Sequence, residues 1–111
     1  MERMNEKDLE IVTGGSGIDI SKVEHGIKHL EKAARMCTAE IPDTARIYIE
    51  GLIEYLQATG ADFFLNTVNA VLSRAHNELD AVIAAGAGVE LQELVQAIKA
   101  ELQLAYYELD Y

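Results

Sequence analysis

The sequence has no tryptophan, one proline and one cysteine, and aromatic residues fill only 6% of its 111 positions. Each scarcity excludes something. With a single proline, long stretches can run as uninterrupted helix, because proline is the residue that removes an amide donor and clashes with the preceding turn. A lone Cys37 cannot form an intramolecular disulfide, so the fold is not a cross-linked scaffold. A small buried thiol is the expected role.

Basic side chains are scarce as well. Nine Lys and Arg face 19 Asp and Glu, a net charge of −10. A polyanion of this kind is repelled by phosphate backbones, so nucleic acid is not an expected partner. The same charge opposes the cationic amphipathic design that draws helices to anionic membranes. No apolar run reaches the roughly 18 residues of a membrane-spanning helix. Residues 1–15 also lack the continuous apolar stretch of about 7–15 residues that marks a secretory signal peptide.

What is present is helical material. Half of the residues are hydrophobic, enough for a small packed core, and the chain length suits one domain. From Ile20 the apolar residues Val23, Ile27, Leu30, Ala34, Cys37 and Ile41 follow in alternating steps of three and four. That rhythm predicts a first helix ending before Pro42, with Ser21 and Glu24 as a capping box at its start. Pro42 or Asp43 opens a second helix, with an inner stripe of Ala45, Tyr48, Ile49, Leu52, Ile53 and Leu56. Thr59-Gly60 stops it, and this helix is expected to be the shortest. Asp62 is placed to cap a third helix carrying Leu65, Val68, Leu72, Ala75, Leu79 and Val82. Gly86-Ala87-Gly88 breaks that run, and Leu91, Val95, Ile98, Leu102, Ala105 and Leu109 line a last helix.

An average step near 3.5 residues is the seam of left-handed bundle packing, and short connections make successive helices antiparallel. The expected fold is therefore all-α, an up-down four-helix bundle. A three-helix bundle with a kink is the alternative, and a flexible or partly helical leader precedes either.

Candidates for chemistry are few. His25 and His29 share a face of the first helix, but zinc requires a third and usually a fourth ligand. The His-Glu-x-x-His form is absent because Gly26 follows His25. Both histidines, and His76, read as solvated surface residues, so no metal site is expected. No Glu precedes a His by three residues, as diiron bundles require. Gly14, Gly15 and Gly17 lack the Lys-Ser/Thr ending of a phosphate loop. Neither catalysis nor a cofactor is expected. In the tail, Tyr106, Tyr107 and Tyr111 read as one ring packed on the bundle and others at a frayed end.

The informative stretch is MNEKDLEIVTGGSG, Met4 to Gly17. Wound as a helix, it gathers Met4, Leu9, Ile11 and Val12 on one broad face, with Glu6, Lys7 and Glu10 elsewhere. Such a face suits docking into a hydrophobic groove. Gly14-Gly15 then offers backbone without β-carbons, which suits entry into a narrow protease channel. Gly-Gly-Ser-Gly is also linker chemistry, but a linker leaves the spaced apolar residues upstream unexplained.

This arrangement resembles the double-glycine leader of bacteriocins and related exported bacterial peptides. Counting Gly15 as the first position before the cut, Val12 is fourth, Leu9 seventh, Asp8 eighth and Met4 twelfth. In that family the fourth, seventh and twelfth positions are apolar and the eighth is often acidic. The resemblance covers only residues 1–15. It implies recognition through Met4, Asp8, Leu9 and Val12 by a peptidase-containing ABC transporter, with cleavage at Gly14-Gly15 before Ser16. It also implies a domain division into a leader, 1–15, and a cargo, 16–111, that is cytoplasmic as precursor and secreted after leader removal. The cargo departs from the family's short cationic peptides. Residues 1–15 carry four acidic and two basic side chains, a net −2, leaving −8 for the remainder. That charge opposes electrostatic attack on a membrane, and a protein target of unknown identity is expected instead. The alternative is a helical-bundle binding protein, of bacteriocin-immunity or adaptor type, that stays unprocessed in the cytoplasm.

Overall fold

The computed structural model describes residues 20–110, which form four α-helices without a strand. They are α1 (Ile20–Met36), α2 (Asp43–Thr59), α3 (Leu65–Ala84) and α4 (Val89–Leu109). A short 3-10 turn, Gly60–Asp62, sits between α2 and α3. Each helix packs against its sequence neighbours, and α4 closes the ring on α1 in the most extensive of these contacts. The result is the expected up-down four-helix bundle.

The 3.5-residue stripes become the core. Buried positions are Val23, Leu30 and Ala33 of α1, and Ala45, Ile49, Leu52, Ile53 and Leu56 of α2. On α3 they are Val68, Leu72, Ala75 and Leu79, and on α4 Val95, Ile98, Leu102, Ala105 and Leu109. Each fully buried aliphatic side chain contributes about 2 kcal/mol of transfer free energy. The stripes are not buried throughout: Ile27, Ala34, Cys37 and Tyr48 are half-buried, as are Leu65, Val82 and Leu91, and Ile20 is about half exposed (52%).

Several boundaries differ from those the sequence suggests. Helix α1 ends at Met36, short of Ile41. The Cys37 amide bonds to the Ala34 carbonyl at 3.2 Å, a three-residue closure that tightens and ends the helix. A turn follows in which the Ile41 amide bonds to the Thr38 carbonyl at 3.0 Å, and this swings Ile41 into the core from a loop. Periodicity alone reads such an inward residue as helical. Ser21 lies inside α1, so it does not cap the helix. Asp62 belongs to the 3-10 turn, and α3 starts three residues later behind Phe64, without a side-chain cap. That entry is fixed instead by Tyr55, whose hydroxyl accepts the Phe64 amide at 2.8 Å. Helix α2 shares the shortest length with α1, 17 residues each.

The two glycine stops hold for a backbone reason. Gly60 has φ +58° and ψ −130°, and Gly86 has φ +96°. Positive φ costs a β-carbon-bearing residue steric strain that glycine escapes.

Candidate functional site

The residues of the leader reading, Met4, Asp8, Leu9, Val12, Gly14, Gly15 and Ser16, lie outside the described residues. Ile20, the first residue of α1, stands four positions beyond Ser16. Its end of the bundle also carries the 3-10 turn, since the Ile20 Cδ1 lies 3.6 Å from where a β-carbon on Gly60 would stand.

Of the α1 histidines, His25 is exposed (58%) as expected, whereas His29 is held against α4. His29 Nδ1 lies 2.9 Å from Glu101 Oε1, and Lys32 Nζ lies 3.1 Å from Glu101 Oε2. One turn away, His25 Nδ1 stands 3.6 Å from Glu108 Oε1. The i, i+4 spacing that made a zinc pair conceivable aims both rings at carboxylates of α4, where they stitch the α1–α4 seam. The Glu101 side chain is only 13% exposed. Its hydrogen bond to His29 holds its carboxyl below the usual value of 4.5, Lys32 adds to this, and burial opposes it. Among the described residues no group of three His, Cys, Asp or Glu side chains is arranged to hold a metal ion.

His76 is not a solvated residue either. It is half-buried on α3, and burial pushes its pKa below the usual 6.5. Lys99 reinforces that shift and Asp80 opposes it. Those two form their own pair, Lys99 Nζ to Asp80 Oδ1 at 2.6 Å, which ties α3 to α4. Cys37 is half-buried, donates to the Ala33 carbonyl at 3.5 Å, and has its pKa raised chiefly by burial. A thiol kept protonated in this way is a poor nucleophile.

Several grooves open between helices among the described residues, and two of them contrast in chemistry. Between α1 and α2 a groove of about 470 Å³ is lined by Glu31, Arg35, Glu50 and Glu54 over Ala34 and Ile53. Among the described residues no ion pair crosses it, whereas polar cross-links join α1 to α4, α2 to α3 (Thr44 to Glu78, 2.6 Å) and α3 to α4. Between α3 and α4 a groove of about 340 Å³ is lined by Asn69, Leu72, Ser73, His76, Leu102, Gln103, Tyr106 and Tyr107. None of these carries a charge at neutral pH.

The sequence reading missed both the Glu101 partnership and this second groove. Glu101 is 72 positions from His29, so no local spacing signals the pair. The polar stripe Asn69, Ser73 and His76, at steps of four and three beside the inward Leu72, was legible as a helix face. Only the packing of α4 makes it a groove.

The tail tyrosines divide largely as expected. Tyr106 is half-buried against the core and Tyr107 is 65% exposed, but α4 runs through both to Leu109, so neither lies on a frayed end. Tyr111 lies outside the described residues. No helix among those described is long and apolar enough to cross a membrane. Comparison with protein-family models, curated proteins and solved structures finds no match to this chain.

Proposed function

We propose that the chain is the precursor of a small exported helical protein of bacteriocin-like type, with residues 1–15 as its export and processing signal. The observation that carries this reading is the spacing of Met4, Asp8, Leu9 and Val12 ahead of Gly14-Gly15. The described residues 20–110 support it by forming a closed helical bundle, the character of a self-contained cargo. Recognition is by the apolar face of residues 4–12 in a groove of a transporter peptidase, and the two glycines enter its channel as bare backbone. The cargo then acts on a protein target outside the cell. Its charge gives no attraction to anionic membranes.

The test is incubation of the full chain with a leader-cleaving transporter peptidase, followed by mass measurement. The expected product begins at Ser16, and Gly14→Ala or Gly15→Ala blocks its formation. An intact chain, or a cut at another bond, overturns the reading.

A second reading keeps the bundle in the producing cell as an unprocessed binding protein of immunity or adaptor type. It is favoured by the completeness of the core, because a closed bundle with eleven large aliphatic side chains less than 2% exposed resists threading through a transporter. Mass spectrometry of culture medium against cell pellet separates the two. The export reading places the chain without residues 1–15 in the medium, and the resident reading places the full chain in the pellet.

A further inference from the structure

We propose that the α3–α4 groove is a binding site for an uncharged bicyclic aromatic molecule with a hydrogen-bonding edge, of the indole class. The inference concerns the folded domain alone and is independent of the leader.

The first observation is the lining. Leu72 and Leu102, 4% and 0% exposed, lie beneath the groove, and the accessible apolar surface comes from the rings of half-buried Tyr106 and exposed Tyr107. The walls are neutral hydrogen-bonding groups, with Asn69, Ser73 and His76 from α3 and Gln103 from α4. Among the described residues, none of these four side chains holds a hydrogen bond. Asn69, Ser73 and Gln103 are exposed and His76 is half-buried, so the polar edge of a ligand can reach all four. The neutral imidazole offers one donor and one acceptor, and the two amides and the hydroxyl offer both.

The second observation is charge. Charged residues make up 25% of the chain, yet the eight lining residues include none. Charges stand at its margins: the Lys99–Asp80 pair, its two ends 2.6 Å apart, and Asp110 beside Tyr106. An ionised ligand would lose hydration here without gaining a counter-charge. An anion would also meet Asp110.

The third is size and shape. A cavity of about 150 Å³ accommodates benzene. The groove's 340 Å³ is a little over twice that, which suits two fused rings rather than one. Tyr106 and Tyr107, with ring centroids 6.5 Å apart and planes tilted by 60°, supply an aromatic wall against which such rings can stack or meet edge to face. Convergent polar groups beside an apolar surface, with a titratable residue shifted by its surroundings, are the usual marks of a small-molecule site.

The experiment is an NMR titration of the full chain, observing the histidine and tyrosine rings, with indole as probe and indole-3-acetate as its charged analogue. Indole is expected to give saturable shifts at His76, Tyr106 and Tyr107, with a midpoint at or below about 1 mM. The acetate should bind at least about tenfold more weakly, since its carboxylate finds no partner. Ser73→Arg and Gln103→Arg each lay a long side chain across the groove from exposed positions on opposite walls. Both should abolish the shifts while leaving the melting temperature unchanged. Shifts that never saturate, that appear equally at His25 and His29, or that survive both substitutions overturn the proposal, as does equal binding of the acetate.

Discussion

Leu109, the last residue of α4, packs directly over Gly26 of α1. Its Cγ lies 3.0 Å, and its Cδ2 3.1 Å, from the point a β-carbon on residue 26 would occupy. This close approach across the most extensive seam explains a glycine in the interior of a helix that would otherwise gain from alanine. In Gly26→Ala the gain in helix propensity, about 1 kcal/mol, offsets the small shift Leu109 must make, so the net change should stay within about 1 kcal/mol. Gly26→Val adds bulk that this shift cannot absorb and should cost about 2 kcal/mol in urea denaturation. Combined with Leu109→Ala, the same valine should fit into the vacated space. A coupling of about 1 kcal/mol in the double-mutant cycle is expected, and strict additivity would show that the contact does not set the packing.

Glycines 51 and 60 provide the contrasting case within nine residues. Gly51 is exposed on α2 with nothing near its missing β-carbon, so Gly51→Ala should stabilise the protein by about 1 kcal/mol through backbone entropy and propensity. Gly60 also has room, with only the Ile20 Cδ1 at 3.6 Å, but its φ of +58° is strained for any other residue. Gly60→Ala should therefore destabilise by about 1–2 kcal/mol. Thermal melts of the two variants must move in opposite directions for the backbone account to stand.

The fold was largely legible because its determinants are local and repeated. The stripe on α4 from Val95 to Leu109 is read from spacing alone, and all five of its positions are buried. Legibility ends where a tertiary partner replaces a local signal. Ile41 keeps helical phase yet reaches the core from a turn. Phe64 takes the helix entry that Asp62 seemed suited to, because a hydroxyl from α2 receives its amide. Gly26 is buried by Leu109 from α4, a partner no local spacing signals, and Ala33 is buried where the stripe had placed its neighbour Ala34, which is half-buried. His29 needed a carboxylate 72 positions away, and the groove beside His76 exists only once α3 and α4 are apposed.

Glu101 makes the acid side of the stability curve testable. Its carboxyl titrates below the usual 4.5 in the folded protein because its charged form accepts from His29 and Lys32. The associated stability is fully present above about pH 4.5, the unfolded value, and is lost as pH falls through the lower folded value. Glu101→Gln keeps the shape and removes the charge. It should lower stability at pH 7 by about 1 kcal/mol, a figure kept small because Lys32 is largely exposed. The gap between variant and wild type should close below pH 4.5 in urea titrations. A pH-independent gap would assign the cost to packing.

His76 acts in a different window and with the same sign. Burial, aided by Lys99 and opposed by Asp80, lowers its folded pKa below the unfolded 6.5. As pH falls through 6.5 the unfolded chain takes up the proton first, so stability declines until the folded histidine also protonates. His76→Gln removes that decline. Relative to the variant, the wild type should lose stability on acidification from neutral pH, and the His76 ring signals should titrate with a midpoint below 6.5. A midpoint at or above that value would place the imidazole in solvent and remove the effect.

Folded stability itself separates the export reading from the resident one. A four-helix bundle is about 20 Å across, two helix diameters, so a channel fitted to an extended chain admits only the unfolded form. Leu102 is fully buried at the centre of α4, and Leu102→Ala should cost about 2–5 kcal/mol. That is a large share of the roughly 5–15 kcal/mol that holds a domain of this size together. If the chain is exported, the variant should be cut between Gly15 and Ser16 by an isolated transporter peptidase as readily as wild type. Its fraction in the medium, measured by mass spectrometry, should rise because more of it is unfolded at the channel. A resident bundle behaves oppositely: Leu102→Ala falls in abundance in the cell pellet through proteolysis of its unfolded form, and no processed chain is found outside.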